Sequence, residues 1–264
     1  MGRAIEMRNV SVIRDGTTIL DSIDLVINED ENVAVIGPNG SGKTTLISLL
    51  RGEIHPYYDE SSPAVFRLFG MERWNLFELR SRLGVVSMDL QSAFNRDTEI
   101  RDVILSGFFS SMDVYRNHTV TQSMRDAADA VGDIMGLTDK MSRGIGKISL
   151  GEMRRTLISR ALVPGPEMLV LDEPMTGLDI VMKIKFREMF DTLIANGVRM
   201  VMITHELEDI PSGVSRVVMI KDGMIFADGP KDSVLTSDVV SDLYDMRIHV
   251  ECRNGSYHMY GDSP

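Results

Sequence analysis

At 264 residues the chain is long enough for one large domain with a sizeable core, and its 43% hydrophobic and 25% charged content excludes disordered and collagen-like classes. A formal net charge of −11 excludes a broad basic surface for nucleic acid or anionic lipid. The longest conspicuous apolar run, residues 103–112, falls well short of the roughly 20 residues of a spanning helix. The single cysteine, Cys252, has no disulfide partner in the chain and no basic, apolar leader opens it, so a reducing cytosol is expected, with membrane contact only through another protein.

Apolar and polar residues alternate through Ile5-Glu6-Met7-Arg8-Asn9-Val10 and again over residues 19–27, with Asp15-Gly16 between them, which predicts an antiparallel hairpin. Residues 32–36 are a short β-branched run feeding a glycine-rich loop, and residues 44–51 then follow helical spacing. Over about 89–147 the pattern turns mostly helical, with breaks at Arg116-Asn117-His118 and Gly136, which predicts an inserted helical subdomain. Strand signals return at 168–171, 200–203, 217–220 and 224–227, spaced by helical stretches, and predict a mostly parallel α/β sheet. Residues 232–245 read as helix and 248–260 as a hairpin turning at Asn254-Gly255. The expected organisation is one α/β domain over 1–245, with an N-terminal antiparallel β subdomain and the helical insertion, followed by a short β appendage over 246–264.

Gly37-Pro38-Asn39-Gly40-Ser41-Gly42-Lys43-Thr44-Thr45 fits the phosphate-loop pattern and makes the core that of a P-loop NTPase. Glycines let backbone N–H groups turn inward around a phosphate, and the helix that follows offers its positive end to the same anion. Lys43 adds a charge toward the β- and γ-phosphates, and Thr44 supplies a hydroxyl suited to Mg²⁺. The strand signal at 168–171 ends in two acids with different expected roles: Asp172 holds Mg²⁺, and Glu173 polarises the attacking water as general base. Ser149 is a plausible cap for a helix opening Leu150-Gly151-Glu152, with Arg154, Arg155 and Arg160 along it. His55, His118, His249 and His258 have no metal-ligand spacing and receive no chemistry.

In this order the motifs resemble the nucleotide-binding domain of the ABC transporter superfamily over nearly the whole chain. Residues 37–45 match Walker A, 148–152 the signature motif and 168–173 Walker B; Thr176-Gly177-Leu178-Asp179 resembles the D-loop and Thr204-His205 the switch-histidine segment. The resemblance implies an ATPase using ATP and Mg²⁺, with Glu173, His205 and Lys43 catalytic. It implies a homodimer packed head to tail, in which Ser149, Gly151 and Glu152 of one copy reach the ATP held by the other. It further implies a cytoplasmic subunit, peripheral on the inner face of the cell membrane and partnered by a transmembrane permease, with a substrate-binding protein joining through the complex and no nucleic acid. The subgroup it looks most like imports metal chelates or molybdate-like oxyanions.

Several positions depart from the family. Arg14 stands where an aromatic residue usually stacks on adenine, and is either a stacking guanidinium or a solvated loop residue. Met88 replaces the Q-loop glutamine, so either Asp89 or, preferably, Gln91 reaches the metal in its place, or the contact is missing and coupling to the partner works differently. Leu150 and Glu152 replace a glycine and a glutamine of the signature, and the charge of Glu152 near a phosphate needs screening by Arg154 or Arg155. His205 has a second reading as the cap of a helix over 205–210. Phe94, Ile100, Ile104, Phe108 and Phe109 form either a groove for a coupling helix or the core of the helical subdomain. The rival function is a soluble ABC-type ATPase of DNA repair or translation with no membrane partner, but the tandem units, coiled-coil arms and basic linkers usual there are not visible. A GTPase would carry an Asn-Lys-x-Asp base-reading motif, which is absent, and the signature helix argues against a kinase.

Overall fold

The computed structural model describes residues 2–261, the side chain of Met88 excepted, and the chain forms two compact units. One comprises Met1–Asn75 with Phe190–Pro264, the other Leu76–Met189.

In the first unit, β1 (Arg3–Arg14) and β2 (Thr17–Asn28) pair antiparallel. Asp15 and Gly16 both take positive φ (50° and 77°), the backbone of a two-residue turn whose twist matches its strands, so the hairpin read from sequence is present. Alternation along β2 buries Ile23, Leu25 and Ile27 on one face. The strand β3 (Val33–Ile36) is buried at all four positions and leads into α1 (Lys43–Leu50). A further strand, β4 (Val65–Leu68), adds to β1 to give a sheet of order β2-β1-β4.

The second unit starts with α2 (Leu76–Arg82) and β5 (Leu83–Val86), followed by α3 (Ile100–Leu105), α4 (Gln122–Ile134) and α5 (Leu150–Leu162). Next come β6 (Met168–Asp172), which pairs parallel with β5, and α6 (Ile180–Ala195), whose last residues belong to the first unit. Short 3-10 turns at Met88–Ala93, Ser106–Phe109, Thr138–Lys140 and Ile145–Lys147 join the helices, so the region expected to be helical is so. Phe94, Ile100 and Ile104 are 5%, 0% and 0% exposed and form core rather than an open docking groove. The burial of Ile100 and Ile104 follows from the apolar face of α3, while Phe94 is buried from the end of the preceding 3-10 turn, each such side chain contributing about 1.5–3 kcal/mol. Phe108 and Phe109 are half-buried, and the Phe109 ring stacks on His118 with centroids 4.1 Å apart.

The chain completes the first unit with β7 (Met200–Thr204), β8 (Arg216–Lys221) and β9 (Met224–Pro230), then α7 (Lys231–Val234), α8 (Ser237–Tyr244), β10 (Ile248–Arg253) and β11 (Ser256–Gly261). Strand β3 pairs parallel with both β7 and β8, while β8 and β9 form an antiparallel hairpin. The protein is therefore a mixed α/β fold with a mostly parallel sheet and separate antiparallel sheets. Arg216 fastens β8 to its neighbours through Asp228 (2.6 Å), Glu31 (3.1 Å) and the Val26 carbonyl (2.9 Å). The C-terminal hairpin turns at Asn254-Gly255 as expected, and its Ile248 and Tyr257 share one core cluster with Ile36, Leu207, Val217 and Leu243. The expected helix over 205–210 is instead a single 3-10 turn, Leu207–Asp209, with Glu206 rather than His205 at its N-cap position. Among the described residues no helix is long and apolar enough to cross a membrane.

Candidate nucleotide site

The phosphate loop lies between β3 and α1. Gly42 takes φ 107°, a conformation that a side chain resists, and a Cβ there would lie 2.6 Å from Leu20 Cδ2, so only glycine fits. It is also the N-cap of α1 and offers no side-chain acceptor, which leaves the first N–H groups of the helix open to an anion. A Cβ on Gly37 would collide with the Ile220 carbonyl of β8, and Gly223 N–H donates to the Ser41 carbonyl at 3.1 Å. The β8–β9 turn thus holds the loop from outside. Sequence reading missed this contact, although Asp222-Gly223 between two apolar runs is itself a tight-turn signal.

Within the loop, the buried Lys43 ammonium donates to the carbonyls of Gly37 (2.7 Å) and Pro38 (2.8 Å), which brings a full positive charge to the loop's own rim. The Ser41 hydroxyl is buried and meets no hydrogen-bond partner. A buried hydroxyl without a partner costs about 1–3 kcal/mol, and an arriving phosphate oxygen would relieve it. Asn39 and Thr44 are exposed, Pro38 and Thr45 half-buried, and Gly40 takes φ 80° with open space around it. Arg14, at the end of β1, has its side chain 84% exposed and lies 4.0 Å from Asp15, so the chain itself gives it no packing partner stronger than a surface ion pair.

In the second unit, Ser149 and Glu152 form a reciprocal capping box at the start of α5. The Ser149 hydroxyl accepts from Glu152 N–H (3.3 Å), and the Glu152 carboxylate accepts from Ser149 N–H (2.7 Å). The hydroxyl proton of Ser149 remains to be donated elsewhere. Glu152 is screened by Lys140, not by Arg154 or Arg155 as expected. The Lys140 hydrogen bond, with the Ser149 N–H bond, holds the Glu152 carboxyl at about 2. Both arginines are engaged elsewhere: Arg155 donates to the Met135 carbonyl, while the buried Arg154 reaches the carbonyls of Glu173, Pro174 and Thr176. Gly151 is buried where a Cβ would lie 2.6 Å from Met182 Cε of α6.

Asp172 ends β6 and Glu173 follows at φ 45°, the left-handed region that a non-glycine residue enters at a cost of about 1–2 kcal/mol. Thr176 Oγ1 donates to Glu173 Oε2 at 3.1 Å, and Arg154 fixes the carbonyls on the same turn. The acid is thus oriented by neighbours that the sequence pattern does not reveal. Asp179 caps α6, its carboxylate accepting from Met182 N–H at 2.9 Å. The side chain of Met88 lies outside the described residues. Ser87 donates to Asp89, whereas Gln91 is exposed and lines a cavity of about 530 Å³ with Phe94, Arg96, Ile145, Ile148 and Met153. In the first unit, His205 follows β7 with its side chain about one-third exposed and Nε2 3.8 Å from Glu206 Oε1.

A buried parallel strand, a glycine loop closed on its own lysine and a helix with open N-terminal N–H groups define a phosphate-loop nucleotide-binding protein. The ABC transporter family model matches residues 20–176, and the chain belongs to that family as an ATP-binding, ATP-hydrolysing subunit. YlmA, an uncharacterized ABC transporter ATP-binding protein of Bacillus subtilis strain 168, is 32% identical over 252 residues, covering 93% of this chain and 92% of YlmA. The zinc uptake system ATP-binding protein ZurA of Listeria innocua serovar 6a is 31% identical over 229 residues, 86% of each chain. An ABC transporter solved in an inward-facing conformation shares the fold, with a TM-score of 0.77 at 18% identity over 98% of this chain and 96% of that one.

Proposed function

We propose that this subunit powers import of a metal chelate or an oxyanion by binding ATP between two copies of itself, packed head to tail against a membrane permease on the inner face of the membrane. The import reading is supported by its similarity to ZurA, whose name assigns it to zinc uptake. A substrate-binding protein would join through the assembled complex.

In this reading the N–H groups at the start of α1 and Lys43 grip the β- and γ-phosphates, and Ser41 gains the partner it lacks. Asn39, Gly40 and Thr45 complete the loop around the phosphates, and Arg14 faces the base. The Thr44 hydroxyl and Asp172 carboxylate are hard oxygen donors that suit Mg²⁺, and Gln91 is the proposed amide donor to it. Mg²⁺ bound with ATP would neutralise phosphate charge. Glu173 accepts a proton from water as the water oxygen attacks the γ-phosphorus and the bridging oxygen leaves with ADP. His205 donates to the γ-phosphate. From the other copy, Ser149 and the helix start at Gly151 grip the same phosphate, with Glu152 kept off it by Lys140 and Asp179 at the shared interface.

The observation that carries hydrolysis is Glu173 itself, a carboxylate in the left-handed region held there by Thr176 and Arg154. Glu173→Gln is expected to abolish turnover while ATP affinity stays near that of the native protein; undiminished ATPase activity would overturn the assignment. Attachment to a permease predicts that a polytopic membrane polypeptide co-purifies stoichiometrically from solubilised membranes, and recovery only with ribosomes or nucleic acid would contradict it.

A further inference from the structure

The peptide unit joining His205 to Glu206 is held at both ends. Its N–H donates to Thr204 Oγ1 at 3.1 Å, and its carbonyl accepts from the Tyr244 hydroxyl at 3.2 Å. Fixing that plane fixes ψ of His205, and hence the direction from which its imidazole leaves the chain. Tyr244 is the last residue of α8, 39 positions away in the chain, and burial pushes its phenol above the ordinary range, so it stays a donor.

The helix that carries Tyr244 is itself anchored. Lys221, at the end of β8, donates to the Asp242 carbonyl and the Asp245 carboxylate, both at 2.6 Å, and so ties the C-terminal end of α8 to the strand whose Ile220 carbonyl abuts Gly37. Behind it the C-terminal hairpin packs on the segment after His205. Ile248 and Tyr257 share a core cluster with Leu207 and Ile210, and His258 Nδ1 lies 3.0 Å from Glu208 Oε1. The His258 pair is about 40% exposed and contributes little alone, so the directed contact is that of Tyr244.

We infer that the C-terminal segment, α8 with β10 and β11, is a brace that aims His205, and that Tyr244 is its positioning residue. The inference rests on the reading of His205 as the γ-phosphate contact. The brace gives the C-terminal residues a role in the chemical step that no motif of theirs signals.

Tyr244→Phe keeps the ring and removes only the hydroxyl. Single-turnover hydrolysis by the full chain with Mg-ATP should slow roughly 3- to 10-fold, the equivalent of one neutral hydrogen bond, with the ATP affinity barely moved and the thermal midpoint lowered by only about 2–4 °C. Because Tyr244 acts through His205, the same substitution should cost almost nothing in a His205→Ala background. A native rate for Tyr244→Phe, or a deficit that persists in full without His205, overturns the brace while leaving His205 in place. If His205→Ala alone hydrolyses ATP at the native rate, the reading of His205 fails and the brace falls with it.

Discussion

Glu152 sits in the signature where a charge would repel phosphate, and its neighbours convert it into a structural acceptor. The Lys140 hydrogen bond and the Ser149 N–H bond lower its carboxyl from 4.5 to about 2 in the folded chain. A carboxyl depressed by folding stabilises the protein above its unfolded value, and the contribution is lost as pH falls from about 4.5 toward about 2. Lys140→Met should therefore lower stability by about 1–2 kcal/mol at neutral pH, after allowance for partial exposure, and the gap from the native protein should close through that acid window. Denaturant titrations at several pH values read it; a gap independent of pH would mean that Lys140 acts through packing alone. Gly42→Ala tests the loop in the same way. With φ at 107° and Leu20 Cδ2 at 2.6 Å, the added methyl should cost about 1–3 kcal/mol of stability and weaken ATP binding, and native affinity by calorimetry would contradict the geometry.

The elements divide by how far their determinants lie apart in the chain. The phosphate loop, the Asp15-Gly16 and Asn254-Gly255 hairpins, the acid-tipped β6 and the Ser149 cap were legible because each is set by residues within a few positions of one another. Strands β4 and β5 are four residues long, and α2 is seven, too short for periodicity to separate them from loops. Sequence left groove and core open at Phe94, Ile100 and Ile104, because an apolar cluster looks alike whether it faces a partner or a core, and burial decides for the core. Least legible were the long-range ties, such as that of Arg154 to carbonyls 19 to 22 residues away. Arg154 links α5 to the turn after β6, and Arg154→Met removes a charged donor from the Glu173, Pro174 and Thr176 carbonyls, of which that of Glu173 keeps a backbone donor, Thr176 N–H at 3.3 Å. It should destabilise the protein by about 2–4 kcal/mol and cut hydrolysis more than ATP binding. Equal losses of the two would point to general unfolding rather than misplacement of Glu173.

At the scale of the whole molecule, the residues proposed for hydrolysis are distributed over both compact units. The phosphate loop and His205 belong to one unit, while the signature, Asp172, Glu173 and Asp179 belong to the other. Head-to-tail pairing of two copies would make ATP the adhesive, gripped by the loop of one and by Ser149 of the other, and loss of the γ-phosphate would release them. The net charge of −11 makes the copies repel at long range, so a shared nucleotide is the expected trigger for association and salt should favour it. The most direct test is the mass of Glu173→Gln in solution by light scattering. With Mg-ATP it should be twice that of the chain, and with ADP it should be that of a single copy. A single-copy mass with ATP demonstrably bound would contradict the account.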